Sequence, residues 1–293
     1  MTILVTGATG TIGSALVERL LAAGASVRVL VRNPGKARFP ATVEVVQGDM
    51  ADIGSIRDAL ASVRTLFLLN AVAADELNQV LIMLNLAHAA GIERIVYLSV
   101  TRAHAFPNVP HFAAKAAAER MIEDFGMAAS ILRPNYFMQN EMVLKAAIHD
   151  HGVYPMPIGS RGLSMIDIRD IADAAAHEVL RRDRAAAPLP STVIELSGPD
   201  VITGASAAEV WSRQLGRPVH YGGDDPGAWA ASMRGAVPEW MIYDLGLMMQ
   251  RFQQAGLEAE PQDTERLADL LGHPLRTYEA FVADTIASWK ESA

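Results

Sequence analysis

Cysteine is absent from all 293 residues of this chain. Its absence excludes disulfide bonds, thiol catalysis and cysteine-ligated metals. The histidines offer no alternative metal site, because His149 and His151 are close in sequence but have no third ligand near them. We therefore expect a protein without a bound metal.

Long apolar runs and excess positive charge are also absent. The most apolar helical stretch, residues 80–87, is too short to cross a membrane and is interrupted by Asn85. The net charge of −8 argues against nucleic-acid binding, which needs a basic face. The first residues already resemble a strand, so we expect no signal peptide, a cytoplasmic location, and neither nucleic acid nor membrane as a partner. Nothing in the sequence indicates the oligomeric state.

The first half of the chain alternates between strand and helix patterns. The predicted strands are apolar runs, as expected when helices cover both faces of a parallel sheet. We expect an α/β fold with a doubly wound parallel sheet. The predicted strands cover residues 2–5, 26–31, 43–46, 65–69, 95–99 and 128–132. The first predicted helix includes residues 15–21 and runs to about residue 23, and the others cover residues 53–60, 76–90 and 111–125.

After Pro134 the alternation loosens. We predict a short strand over Met165–Arg169, a helix over Asp170–Leu180 with Asp170 as its N-cap, and a strand over Thr192–Leu196. Mostly helical segments follow. The domain prediction is a nucleotide-binding domain of residues 1–135 and 164–198. Residues 136–163 and 199–293 are expected to form a smaller, mainly helical substrate lobe at the carboxyl edge of the sheet.

The most informative motif is the glycine-rich stretch between the first strand and the first helix. Strand, glycine turn and helix form the context that a Rossmann dinucleotide fingerprint requires. Glycines permit a tight turn and a close approach to a pyrophosphate, and the helix N-terminus attracts the phosphates. The alternative is an ordinary glycine-rich turn. The predicted cofactor contacts here are Gly7, Thr9, Gly10, Thr11, Ile12 and Gly13.

The end of the second strand indicates which dinucleotide is bound. An acidic residue there favours NAD, whereas a basic one accepts the 2′-phosphate of NADP. Here the strand ends in Arg32, with Lys36 following and no carboxylate nearby. The alternative is a solvated basic turn. We expect NADP(H) to be preferred and NAD(H) to remain possible.

Two further segments are predicted to reach the cofactor. Asp49 follows the third strand with Met50 beside it, and its carboxylate could accept from adenine or simply begin the next turn. Asn70 ends the fourth strand and could contact the nicotinamide-side ribose or bond to its own backbone.

Several short motifs recur along the chain in a recognisable order. They are Thr6-Gly7-Ala8-Thr9-Gly10-x-x-Gly13, Val31-Arg32-Asn33-Pro34, Gly48-Asp49, Tyr97-Leu98-Ser99, His111-x-x-x-Lys115, the run from Leu132 to Asn140, the run from Ser164 to Ala172, and Leu196-Ser197-Gly198-Pro199. Taken together, these motifs resemble the NmrA-like family of atypical short-chain dehydrogenase/reductase-like proteins. The resemblance covers most of the chain and fades in the last third.

The resemblance implies an NAD(P)H-dependent reductase of quinones, dyes or phenylpropanoids, or a sensor that binds NADP without turnover. It also implies that Pro134, Asn135 and Phe137 back the nicotinamide. The alternative for this segment is core packing at a strand-to-helix turn.

One departure from the resembled pattern concerns the catalytic residues. Short-chain dehydrogenases carry Tyr-x-x-x-Lys, and this chain has His111 in the tyrosine position and Lys115 four residues on. His111 is a candidate proton donor, or else a residue near the helix start that bonds to cofactor or backbone. Lys115 is a candidate ribose contact, or else a surface lysine. Ser99 and Thr101 are weaker candidates.

Several apolar side chains are predicted to form a pocket for an aromatic substrate. Its candidates are Tyr136, Phe137, Met142, Met156 and Trp240, which could equally be ordinary core. The function expected is hydride transfer from NADPH to a small apolar acceptor such as a quinone. The alternative is a non-catalytic redox sensor that acts through a protein partner.

Overall fold

The computed structural model describes residues 2–291. Its centre is a seven-stranded sheet with the strand order β3-β2-β1-β4-β5-β6-β8, accompanied by a two-stranded pair, β7-β9. The strands are β1 Thr2–Val5, β2 Ser26–Val31, β3 Glu44–Gln47, β4 Val63–Leu68, β5 Ile95–Leu98, β6 Ala129–Pro134, β7 Val153–Tyr154, β8 Thr192–Leu196 and β9 His220–Tyr221. The helices are α1 Thr11–Ala22, α2 Ile53–Leu60, α3 Glu76–Ala89, α4 Pro110–Asp124, α5 Ile168–Arg184, α6 Gly204–Leu215, α7 Pro226–Ser232, α8 Glu239–Ala255, α9 Pro261–Leu271 and α10 Tyr278–Glu291.

The strand order reverses at β1, and this reversal determines where a ligand can bind. Val5 pairs in parallel register with Val29 of β2 on one side and with Phe67 of β4 on the other. The chain runs outward from β1 to β3 and then returns to β4 across β1. Doubly wound sheets bind ligands at this switch point, outside the carboxyl ends of the strands. The predicted fold class is confirmed.

Burial explains why these short strands form. Ile3, Leu4 and Val5 of β1 are completely buried, as a strand covered by helices on both faces must be. On one face, residues of α2, α3 and α4 pack against β4 and β5 around Leu66, Leu84 and Ile122. Removing such a set of apolar side chains from water is the main stabilising contribution to a fold of this kind.

The chain forms two compact units. The first unit contains residues up to Ala105, His111–Arg133 and Ile171–Glu195, and so includes most of the sheet. The second unit contains Phe106–Pro110, Pro134–Asp170 and the residues from Leu196 onward, and is mainly helical.

The predicted strand over Met165–Arg169 is wrong. Ile166 forms one isolated bridge opposite Phe137, and α5 already begins at Ile168. Asp170 therefore lies inside the first turn of α5 and is not its N-cap. Asp167 instead accepts the backbone N–H of Arg169 at 2.8 Å, a local bond that ends the extended backbone earlier than the apolar pattern indicates.

None of the helices formed by residues 2–291 combines the length and the apolar character that crossing a membrane requires.

Candidate cofactor-binding site

The glycine loop between β1 and α1 is built so that side chains would not fit. Gly7 has a φ of +64°, which favours glycine, and a Cβ there would lie 2.9 Å from the Leu69 side chain. A Cβ on Gly13 would lie 2.2 Å from the carbonyl oxygen of Gly7. The first glycine therefore permits the turn, and Gly13 permits α1 to pack directly on the loop.

The N-terminus of α1 carries an uncompensated positive end. Its N-cap is Gly10, which provides no side-chain cap, and its first turn contains no acidic residue. Thr9, Gly10 and Thr11 are exposed, whereas Ile12 and Gly13 are buried. The aligned peptide dipoles and the free N–H groups of a twelve-residue helix thus face a space that an anion can occupy. This arrangement fits a dinucleotide pyrophosphate.

The loops after β1 and β4 are tied together at the switch point. The Thr6 hydroxyl donates to the carbonyl of Leu69 at 3.0 Å and accepts the Leu69 N–H at 2.9 Å. This pairing places Asn70 beside the glycine loop. Asn70 is only 4% exposed, and within the described part of the chain its side-chain oxygen and nitrogen have no hydrogen-bond partner.

An unpartnered buried amide is costly, by about 1–3 kcal/mol, unless a ligand satisfies it. The self-bonded turn that was the alternative for Asn70 is not present in the structure. A ligand that supplies both a donor and an acceptor at the end of β4 fits this side chain, and a ribose hydroxyl is such a group.

A cavity of about 370 Å³ opens at the ends of β2 and β3. Arg32 is the cation among its lining residues, and it is exposed. Lys36 is also exposed, but it lies in a 3₁₀ turn and does not line the cavity. The full lining is Arg32, Gln47, Gly48, Asp49, Asp52 and Ser55.

Asp49 and Met50 have structural partners of their own. One oxygen of Asp49 accepts the backbone N–H of Ala51 at 2.9 Å, so the turn-forming role is present. Within residues 2–291 no hydrogen bond involves the second oxygen, which remains for a ligand. Met50 is half-buried and packs against the core. Sequence reasoning missed Gln47, Asp52 and Ser55. Of these three, Asp52 could have been noticed in the sequence, because aspartate is a preferred residue at the start of a helix. It caps α2 by accepting the backbone N–H of Gly54 at 2.8 Å.

Lys115 on α4 is a buried residue and not a surface lysine. Its Nζ lies 2.8 Å from a carboxylate oxygen of Glu76, and the two side chains are 8% and 3% exposed. The same ammonium lies 5.5 Å from the centre of the Tyr97 ring, within cation–π range. Burial raises the pKa of Tyr97 well above its ordinary value, and the Glu76 carboxylate raises it further. Sequence reasoning missed Glu76.

His111 lies in the first turn of α4 and is half-buried. Its ring meets Phe112 edge-on at a centroid distance of 4.8 Å. It shares a helix face with Lys115, as predicted from their spacing. Its role as an acid stays a prediction.

Ser99 belongs to a network of hydrogen bonds and ion pairs around Glu119 in the first unit. Its hydroxyl donates to Glu119 at 2.5 Å, and Arg133 and His104 contact the same carboxylate at 2.6 and 2.9 Å. Burial raises the pKa of Glu119, but the hydrogen bonds from Arg133 and Ser99 outweigh burial and the net pKa is lowered. Thr101 is also buried, at 8% exposure.

Residues predicted to back the nicotinamide lie in the second unit. Pro134 is buried, and Phe137 is half-buried opposite Ile166. The side chain of Asn135 donates to Ser197 at 3.2 Å and to the Leu257 carbonyl at 2.7 Å. Its amide is therefore occupied within that unit.

Residues predicted to line a substrate pocket also lie in the second unit and differ in exposure. Tyr136 packs edge-on against Phe252 at 5.8 Å. Met156 is buried at 5% exposure, whereas Met142 and Trp240 are 47% and 37% exposed. Their common role in a pocket stays a prediction.

Comparison of this sequence with models of protein families shows which family it belongs to. The model of the NmrA-like family matches residues 1–281. The chain belongs to the NmrA-like family. The resemblance carried by the sequence motifs is thereby confirmed.

This NmrA-like protein is 32% identical to the NAD(P)H azoreductase of Xenophilus azovorans, over 75% of this chain and 76% of that one. It is 29% identical to the (4-alkanoyl-5-oxo-2,5-dihydrofuran-3-yl)methyl phosphate reductase of Streptomyces griseus, over 96% and 97%. Its fold matches the Escherichia coli NADPH-dependent quinone oxidoreductase QOR2 complexed with NADPH, with a TM-score of 0.84, 27% identity, and coverage of 97% and 99%. The prediction of an NAD(P)H-dependent reductase is confirmed.

Proposed function

We propose that this chain transfers hydride from NADPH to a planar, conjugated, apolar acceptor such as a quinone. The observation that carries the proposal is the uncapped N-terminus of α1 at the switch point of the sheet, beside the unpartnered amide of Asn70. Three relatives support the acceptor class, since their names describe an azoreductase, a dihydrofuranyl phosphate reductase and a quinone oxidoreductase.

Each part of the cofactor has a group in the first unit that suits it. The backbone of residues 9–13 binds the pyrophosphate, and Arg32 binds the 2′-phosphate through its planar set of donors. The free oxygen of Asp49 accepts from the adenine amino group. Asn70 and Lys115 hold the nicotinamide-side ribose, one by a neutral amide and the other by a charge.

When bound, NADPH supplies the hydride, and the protein contributes orientation and exclusion of water. Hydride transfer needs no protein nucleophile. The product anion takes its proton from His111, which shares a helix face with Lys115.

A redox sensor is the second candidate function. The observation that favours it is the bond between Ser99 and Glu119, which occupies the hydroxyl that short-chain dehydrogenases use beside their tyrosine. A sensor would bind NADPH and NADP⁺ with different consequences for a partner and would not turn over.

Steady-state oxidation of NADPH distinguishes the two candidates. The purified protein is mixed with NADPH and, separately, with benzoquinone, a naphthoquinone, an azo dye and an unsaturated lactone. We expect turnover with at least one acceptor, well above the rate without protein. Tight NADPH binding with no turnover on the whole panel would support the sensor instead.

A further inference from the structure

The Lys115–Glu76 pair has a consequence for the charge beside the nicotinamide. The cofactor carries a positive nicotinamide ring when oxidised and a neutral ring when reduced. An isolated lysine ammonium next to that ring would repel the oxidised form alone. A carboxylate fixed against the ammonium cancels most of this field, because opposite charges 2.8 Å apart act on a third group as a dipole.

We infer that Glu76 is a positioning residue that sets both the location and the effective charge of Lys115, and so adjusts the relative affinity for NADP⁺ and NADPH. The inference rests on the proposed function, which places Lys115 at the nicotinamide-side ribose. It goes beyond that function because it assigns a role to a residue on a different helix, one that need not touch the cofactor.

Burial strengthens the electrostatic effect of the Lys115–Glu76 pair on nearby groups. Glu76 and Lys115 are both more than nine-tenths buried, so solvent screens their charges weakly. Glu76 is the first residue of α3, which follows the loop that contains Asn70. The pair is therefore anchored between α3 and α4 at the same edge of the sheet as Asn70.

The contact is an ion pair more than a directed hydrogen bond. Among the residues that the structure describes, neither carboxylate oxygen of Glu76 has a hydrogen-bond partner of good geometry. The Tyr97 hydroxyl is likewise buried and unpartnered within that part of the chain. With few competing bonds, the position of the ammonium depends on Glu76 and on the Tyr97 ring below it.

Removing the carboxylate charge should weaken the binding of NADP⁺ more than the binding of NADPH. Glu76→Gln keeps the side-chain shape and leaves the Lys115 charge uncompensated. The ratio of the dissociation constants, Kd for NADP⁺ over Kd for NADPH, should rise about threefold to tenfold, as expected for one unit charge a few ångströms away in a partly screened site. Lys115→Met should move the same ratio in the opposite direction, even though both affinities fall.

The experiment is calorimetric titration of both cofactor forms at one neutral pH. The proteins are the wild type, Glu76→Gln, Lys115→Met and the double variant. Asp183→Asn is the matched control, because Asp183 accepts from Thr65 at 2.8 Å in the first half of β4, away from the carboxyl edge. The double variant and the control should both keep the wild-type ratio.

An unchanged ratio in Glu76→Gln and in Lys115→Met would overturn the inference, even if stability or both affinities fall. If Glu76→Gln does not fold, the Lys115→Met and double variants decide by the same ratio. Failure of the wild type to bind either cofactor form would instead contradict the proposed function.

Discussion

The hydroxyl of Tyr278 donates a 2.5 Å hydrogen bond to the carboxylate of Glu141, and both side chains are fully buried in the second unit. Tyr154 donates to the same carboxylate at 2.5 Å and Trp211 at 3.3 Å. All three donors are neutral. Burial raises the pKa of Glu141 to about 7, and the three hydrogen bonds offset only part of this effect.

This raised pKa makes the stability of the second unit depend on pH. Because the folded-state pKa lies above the ordinary value of 4.5, the protonated carboxyl stabilises the fold fully below pH 4.5. That contribution is lost as the pH rises through about 7. The difference corresponds to roughly 3 kcal/mol of unfolding free energy.

Glu141→Gln should remove this pH dependence while keeping an oxygen that accepts from one of the two tyrosines. We expect the unfolding free energy of the variant to be at least as high as that of the wild type at pH 8. Near pH 5, where Glu141 of the wild type is protonated, this difference should disappear. Urea unfolding of both proteins across this pH range measures the difference. Parallel curves for the two proteins would contradict the assignment.

Cofactor selectivity should depend on Arg32. We expect NADPH to bind about tenfold more tightly than NADH, a difference of about 1.4 kcal/mol that one charged phosphate contact can provide. Arg32→Ser should remove the preference, chiefly by weakening NADPH binding. Arg38→Ser is the control, since Arg38 is exposed in the same loop but donates to the Gly35 carbonyl at 3.2 Å. Equal affinities of the wild type for both cofactors would disprove the role of Arg32.

Two glycines of the loop should respond differently to substitution. Gly10 has an extended backbone with φ of −82°, and a Cβ there would meet only the Gly7 carbonyl, at 3.3 Å. Gly10→Val should therefore fold normally but lose NADPH affinity at least about tenfold, because the side chain fills the space before α1.

Gly13→Ala should instead destabilise the fold, by about 1–3 kcal/mol, because its Cβ would overlap the backbone of the loop. Thermal unfolding and NADPH titration of both variants separate the two effects. Normal NADPH binding by a folded Gly10→Val protein would place the pyrophosphate elsewhere.

His111→Phe tests proton donation. We expect kcat to fall about 10²-fold with an unsaturated lactone, whose carbanion needs a positioned acid, and the affinity for NADPH to change little. His220→Phe is the control, because His220 is exposed on β9 in the second unit. A kcat within about threefold of the wild type would assign the proton to solvent.

Local sequence patterns were sufficient to predict the bounds of those strands and helices that depend mainly on neighbouring residues. The bounds of β1, β2, α2 and β8 follow from apolar runs and turn residues, and the structure has them where they are predicted. The failed strand near Ile166 shows the limit. That segment is apolar and β-branched, but its pairing stops at one isolated bridge of Ile166, because Asp167 accepts the Arg169 N–H and α5 begins at Ile168.

The sequence suggests candidate site residues where the motif is contiguous, and it gives no sign of residues whose partner is distant in the chain. The glycine loop and Arg32 follow from position relative to a strand. Glu76 begins a helix, so in the sequence it resembles an ordinary first-turn acid. Glu141 is 137 residues from Tyr278, and no local pattern indicates that the two meet.

Transfer of deuterium from the cofactor to an acceptor is a direct measure of hydride transfer by this protein. NADPH that carries deuterium at the transferable position, labelled on each face in turn, is incubated with the protein and an unsaturated lactone. We expect that one of the two labelled cofactors gives a product with carbon-bound deuterium, and that its oxidation is slowed relative to unlabelled NADPH. NADPH that binds tightly while no deuterium reaches any acceptor would contradict it.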